Sequence, residues 1–391
     1  MKITSVAIPM GSFNPNTSMW IRVISINRWL HYLSKSFGFE VRLLVFARDS
    51  KTQKRILMEI SKDKELAEIV SVQLIPSIAT SIKRELPDII IAHTEVPAFI
   101  LTLMKKYIGG NIVFDMHGLR RAEVELECCP RSDIIYSILY KLYTIVDVSA
   151  EVYALKKTDA VLTVSRCMIE YLKKYFKLDP RKIIYVPNGV DLDFFDSSKV
   201  SADLVSQLRD ELGLAGKRVF CYIGGMHKWQ GVENLIKVAL KVPYNDVAFL
   251  IVGGKVSWKK KNIIKLQAVP RDRVRLYYAS CDVAVLPRPH HLATFVASPT
   301  KLAEYAAMSK PILTTNVGDA AYLVRKYSAG YVVSSNNHGD LMRGIEYFVN
   351  LTDRELKLMG SRARRMAEEE FDWKKIVLRL YKEITLHRNA T

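Results

Sequence analysis

Short runs of β-branched and aliphatic residues alternate along the chain with longer stretches whose apolar positions recur three and four apart, the alternation that βαβ units with a parallel sheet produce. The predicted strands of a first set are Ile3–Ile8, Val41–Ala47, Ile89–Ala92, Ile112–Asp115, Ala160–Val164 and Ile183–Val186. A second set runs through Val219–Ile223, Ala248–Val252, Val283–Leu286, Ile312–Thr315 and Tyr331–Val333. Segments such as Ser18–Phe37, Arg166–Phe176 and Thr300–Met308 read as amphipathic helices. Between the sets, Pro187-Asn188-Gly189-Val190-Asp191 has turn chemistry, followed by a polar stretch around Ser197–Ser206. These signals predict α/β domains over residues 1–195 and 196–370, with a terminal helix over 371–391 reaching back to the first domain.

Length agrees with two domains, because 391 residues exceed what one hydrophobic core usually organises. The opening Met1–Pro9 has too short an apolar run for a signal peptide and reads as a strand. The greasiest stretch, Ile134–Val146, is interrupted by Lys141 and falls short of the ~20 apolar residues that span a bilayer. Five cysteines without a Cys-x-x-Cys pair suit a reduced, cytoplasmic setting and argue against a zinc site. The net charge of +18 changes the picture most: it favours anionic partners, whether nucleic acid, lipid headgroups or phosphorylated ligands. Its densest run, Lys255 with Lys259-Lys260-Lys261, reads as a solvated face.

In open α/β sheets ligands bind beyond the carboxyl ends of the strands, so the loops there carry the candidate chemistry. The first loop, Pro9–Ser18, offers Gly11 for close backbone approach and leads into a helix bearing Arg22. The second, Asp115-Met116-His117-Gly118, ends an apolar strand in polar residues; His117 either meets a sugar hydroxyl or is a satisfied structural histidine, the reading also given to His93. The third, Gly224 to Gly231, has paired glycines Gly224 and Gly225 that clear room for a diphosphate and Lys228 to neutralise it, without a Gly-x-Gly-x-x-Gly or Walker spacing. The fourth, Ser298-Pro299-Thr300-Lys301-Leu302-Ala303-Glu304, predicts a helix start capped by Ser298 and Thr300, with Lys301 in the first turn. Glu304 follows one turn on, where a carboxylate can accept bonds from both ribose hydroxyls, or is an ordinary surface glutamate.

Taken in order, His117-Gly118, Pro187–Asp191, Gly224–Gly231 and Ser298–Tyr305 resemble the retaining glycosyltransferases of family 4, group 1, over nearly the whole chain. The resemblance implies the GT-B fold, two Rossmann-like domains facing each other across a cleft. It implies that Gly11 lets the donor diphosphate lie close, that His117 contacts the transferred sugar, that Glu304 binds the ribose, and that Ser298, Thr300 and Lys301 hold the diphosphate, with Asn188 nearby. Two departures stand out. Val296, eight positions before Glu304, replaces a glutamate many members carry, and Gly225 and Gln230 stand where the family often has arginine and lysine. The clamp must then come from Lys228, Lys301 or Arg22.

The implied activity is transfer of a sugar from a UDP- or GDP-linked donor to a glycan, glycolipid or lipid-linked acceptor, with no cofactor and no metal. Asp191-Leu192-Asp193 is read as interdomain loop rather than as a metal site. The aromatic-rich Ile134–Tyr153, flanked by Arg120, Arg121 and Arg131, suits either docking at the inner face of an anionic membrane or an internal core helix. Two rivals remain: a UDP-sugar 2-epimerase of the same architecture, and a basic nucleic-acid-binding protein for which Trp258 among the lysines is the one hint. Nucleic acid is not the expected partner.

Overall fold

The computed structural model of the chain describes residues 1–9, 17–127 and 134–390. The chain divides into two compact units, Met1–Pro187 with Trp373–Thr391, and Asn188–Asp372. Each is an α/β unit built on one seven-stranded sheet.

In the first unit the strands are β1 (Lys2–Ala7), β2 (Glu40–Ala47), β3 (Val70–Leu74), β4 (Ile89–His93), β5 (Asn111–Met116), β6 (Ala160–Thr163) and β7 (Ile183–Tyr185). They pair in the order β3-β2-β1-β4-β5-β6-β7, all parallel. Helices cover both faces of such a sheet, so its central strands read as unbroken apolar runs: all of Ile89–His93 is buried. The pattern missed β3 because Val-Ser-Val-Gln-Leu is a polar edge strand in which only Val72 is buried. Helix Ser18–Phe37 spans its predicted residues and stops at Gly38, whose left-handed φ of 67° lets its N–H reach Ser34 O. The terminal helix Trp373–Ala390 joins this unit, with Trp373, Ile376, Val377, Leu380 and Ile384 buried against Ile26, Leu30 and Leu33, and Tyr381 stacked on Phe39 at 4.7 Å. At about 1.5–3 kcal/mol per buried apolar side chain, that face is ample to hold the helix there.

The second unit contains β8 (Arg218–Ile223), β9 (Val247–Val252), β10 (Trp258–Lys260), β11 (Ile263–Leu266), β12 (Val283–Leu286), β13 (Ile312–Thr315) and β14 (Gly330–Val333). Their order is β10-β11-β9-β8-β12-β13-β14, parallel except for the antiparallel β10–β11 pair at one edge. That pair was not anticipated: Lys259 and Lys260 of the run read as a solvated face lie exposed on an edge strand, and Trp258 packs partly buried against the core. The unit begins at Asn188, not after residue 195. Val190 donates to Phe371 O at 2.8 Å and bridges to Asp372, while Phe195 is buried in the second unit's core, so the segment is part of that unit. Asp191 Oδ1 accepts the N–H groups of Asp193 and Phe194, a local turn rather than a ligand set.

Strand order reverses direction between β1 and β4 in the first sheet and between β8 and β12 in the second. These switch points are where connecting helices diverge and open a crevice beyond the strand ends.

Candidate functional site

At the switch point of the second unit, the loop leaving β8 is bent by glycines. Gly224 has φ 147°, and a Cβ there would overlap Cε of Lys301. Tyr222 inside the strand donates its hydroxyl to Gly225 O at 2.6 Å, tying the loop down. Lys228 opens a single 3₁₀ turn, Lys228–Gln230, with its side chain exposed, and His227 stacks on Trp229 at 4.4 Å. Gly231, at φ 71°, passes so close to Pro287 that a Cβ would overlap its carbonyl oxygen. The β8 loop therefore lies directly on the residues that follow β12.

Helix Thr300–Ala307 starts beside this loop, but not as expected. Its N-cap is Pro299, and neither Ser298 nor Thr300 caps it. Ser298 is engaged with Asn188, whose backbone N–H donates to Ser298 Oγ at 3.2 Å and whose Nδ2 donates to Ser298 O at 2.7 Å. The N–H groups of Thr300 and Lys301 precede the first helical hydrogen bond, from Leu302 N to Pro299 O. Lys301 reaches back to Gly224 with its Nζ 5.4 Å from the Tyr222 ring centroid. Burial and the neighbouring charge of Arg288 push its ammonium down to about 8, against the pull of Glu304. Glu304 itself is mostly buried. Tyr278 donates to its Oε2 at 2.8 Å, and Arg271 stands 3.7 Å from Oε1, so the carboxylate is held in a fixed orientation rather than free on a surface. Val296 is fully buried, so that position is packing where a carboxylate was expected in relatives.

The sequence reading passed over Arg288. It lies two residues beyond the end of β12, its backbone oxygen accepting from Thr315 Oγ1 at 2.7 Å, and is only 7% exposed. Its Nε and Nη1 are buried without a hydrogen-bond partner. Burial draws its pKa down to about 10, with the Tyr222 side chain opposing. The signal that would have found it is positional: a cation just past a strand at the switch point.

The first unit gathers a different set. Asp115, at the end of β5, is fully buried and takes Arg22 Nη2 at 2.6 Å and Nε at 3.0 Å on Oδ1. On Oδ2 it receives His93 Nδ1 at 2.7 Å and His117 Nε2 at 2.8 Å. Burial raises the Asp115 pKa, but the charges of Arg22 and His117 and the histidine bonds outweigh it and hold the carboxyl well below its ordinary range. Burial in turn lowers His93. Arg22 is thus spent within the unit, its Nη1 donating to Val186 O and Pro187 O, and the expectation that it clamps a diphosphate is corrected. His117 is the partly exposed member, with Nε2 on Asp115 and Nδ1 the ring nitrogen outside that bond. His93, Asp115 and His117 are also close enough to hold a metal ion among the described residues, but the Arg22 guanidinium already supplies the positive charge that the carboxylate needs. Gly11 lies outside the described residues.

Beside His117 is an acidic cluster that the sequence did not point to. Arg120 donates its N–H to Glu151 at 2.8 Å and its Nε to Asp147 at 3.0 Å. Burial, with the charges of Glu95 and Glu123 adding to it, pushes Glu151 up to about 8. Burial also raises Glu95, which follows Thr94, a threonine strained at φ 75°.

Comparison with known proteins agrees with this architecture. The model for glycosyl transferases group 1 matches residues 206–366, and that for glycosyltransferase family 4 matches residues 24–194. The chain is 26% identical over 248 residues, 60% of its length and 58% of the relative's, to a Bacillus subtilis protein designated a teichuronic acid biosynthesis glycosyltransferase, TuaH. It is 23% identical over 309 residues, 74% of its length and 73% of the relative's, to the Escherichia coli UDP-Gal:alpha-D-GlcNAc-diphosphoundecaprenol alpha-1,3-galactosyltransferase. The matches to TuaH and to the spore coat protein SA of Bacillus subtilis span 58% and 62% of those proteins. Among solved structures, Anabaena HepE in complex with UDP superposes with a TM-score of 0.71 at 17% identity, covering 98% of this chain and 100% of that one. Sucrose-phosphate synthase from Thermosynechococcus elongatus does so with a TM-score of 0.72 at 14% identity, covering all of both chains. Two parallel-sheet units of this kind are the GT-B α/β fold, and the chain belongs to the group 1 glycosyltransferases.

Proposed function

We propose that this chain transfers a sugar, with retention at the anomeric carbon, from a nucleotide-diphosphate sugar to a glycan, glycolipid or lipid-linked acceptor. The observation that carries the reading is the convergence at the second unit's switch point of the Gly224 loop, Lys301 and an oriented Glu304 at one helix tip. In the transfer the bond between anomeric carbon and phosphate oxygen breaks, its electron pair leaving with the diphosphate. The acceptor oxygen bonds to the same carbon, and its proton passes to the departing phosphate or to solvent. Negative charge grows on the leaving group, so preorganised N–H groups and cations that meet it lower the barrier. Glu304 anchors the ribose, and His117, oriented by Asp115, serves the sugar through Nδ1. Helix N–H groups and cations do here what a divalent ion does elsewhere, so activity is expected to persist in chelator.

The Escherichia coli relative, which acts on a diphosphoundecaprenol-linked sugar, supports a lipid-diphosphate acceptor, and the HepE complex supports a UDP donor. Among the described residues no helix is long and apolar enough to cross a membrane. The net charge of +18 and the exposed Ile145 and Val146 of helix Ile134–Lys157 support docking at an anionic bilayer surface. The test is a panel of UDP- and GDP-sugars assayed for release of the nucleoside diphosphate with and without lipid-linked acceptors. Release from one donor with a product of retained configuration is expected; stabilisation by oligonucleotides alone, or isomerised sugar in place of transfer, would overturn the reading.

A further inference from the structure

We infer that Arg288 is the residue that selects a diphosphate, its guanidinium and the Lys301 ammonium gripping one pyrophosphate beyond the ends of β8 and β12. This rests on the donor reading above and adds to it a residue and a selectivity.

Three observations converge. Arg288 is 7% exposed, yet its Nε and Nη1 have no hydrogen-bond partner, and no ion pair to it exists among the described residues. A buried guanidinium without a counter-charge is costly, and one that persists has its partner outside the chain. Second, a further cation is held in the same place: Lys301 sits close enough to feel the charge of Arg288, and Glu304, its one acidic neighbour there, is already bonded by Tyr278. Two cations held together demand an anion with more than one charge, as a pyrophosphate has. Third, glycine backbone brings these groups together. Gly224 and Gly231 draw the β8 loop onto Pro287 and Lys301, and the leading N–H groups of helix Thr300–Ala307 open at the same point. Within the loop the cation is Lys228, since position 225 is glycine and position 230 is a buried glutamine whose Oε1 is itself unpaired. A planar guanidinium suits two phosphate oxygens at once, so the diphosphate gains most from it and a monophosphate least.

The experiment titrates UDP, UMP, GDP, GMP and inorganic pyrophosphate into the full chain, as wild type, Arg288→Gln and Arg288→Lys, with melting curves of each protein alone. Wild type should prefer its nucleoside diphosphate over the monophosphate by well over tenfold. Arg288→Gln should lose about 30-fold or more in diphosphate affinity with little change for the monophosphate, and Arg288→Lys should recover part of it. Because the charge is unpaired in the free protein, Arg288→Gln should melt at or above the wild-type temperature while losing the ligand-induced rise. An unchanged preference in Arg288→Gln overturns the assignment. So does a variant that melts lower or fails to fold, since that makes Arg288 a structural cation. Wild type that binds none of the nucleotides overturns the donor reading instead, a result separable from failure of Arg288 alone.

Discussion

Two arginines lie buried near the switch points of two similar sheets, and their surroundings are opposite. Arg22 in the first unit, 1% exposed, meets Asp115 with two of its nitrogens and two backbone carbonyls with the third. Arg288 in the second, 7% exposed, leaves Nε and Nη1 unmatched. A fully paired buried charge is part of the architecture, because breaking the pair strands one partner in a low-dielectric interior. An unpaired one keeps its hydrogen-bonding capacity for something that arrives later. The same residue type at a like place in the sheet therefore belongs to the scaffold in one unit and to the ligand in the other.

The sharpest way to break this comparison is to unpair Arg22. Asp115→Ala should cost about 3–5 kcal/mol in denaturant unfolding, and a loss below about 1 kcal/mol would mean that the pair is not structural. Next comes the residue that Asp115 orients. His117→Ala is expected to lower turnover by about 100-fold, in the range of positioned hydrogen-bonding and proton-transfer groups, while nucleoside diphosphate affinity stays within about twofold; equal loss of both would return the ring to a packing role. In the second unit, Glu304→Ala should weaken nucleoside diphosphate binding by about 10–100-fold, as expected for charge-assisted bonds worth about 1.5–3 kcal/mol, with little change in unfolding midpoint. Calorimetric titration against the diphosphate and against inorganic pyrophosphate separates the roles, since pyrophosphate lacks the ribose and should be indifferent to Glu304.

The smallest effect concerns pH. Lys301 titrates at about 8 in the folded protein against an ordinary 10.5. The charged form is what an anion binds, so diphosphate affinity should fall as pH rises from 7 to 9, by up to about tenfold if only the ammonium binds. The sign for stability is reversed. A lysine with a depressed folded pKa burdens the fold while charged, so the free protein should gain stability as pH climbs through 8 toward 10.5. Binding that strengthens with pH would remove Lys301 from the site.

Legibility followed burial and local chemistry. Strands buried on both faces, such as Ile89–His93, announce themselves as apolar runs, whereas β3 and β10 at the sheet edges carry polar or lysine-rich residues and were missed. The fourth loop was legible because Ser298 and Thr300, followed by Lys301 and by Glu304 one turn on, mark a helix start. Its cap was not: whether Ser298 caps or is claimed by Asn188, 110 residues away in the chain, is decided by folding.

By itself the sequence determined the α/β class, the division into two units and the glycine loop after β8, because these rest on periodicity and on backbone freedom that are properties of neighbouring residues. Tertiary structure alone decided which cations are spent and which are left over. Arg22 and Arg288 are indistinguishable as letters, and only the fold brings Asp115 to one across 93 positions and, among the described residues, no carboxylate to the other. Charge pairing is a three-dimensional property, since its energy depends on distance and on the water excluded around it.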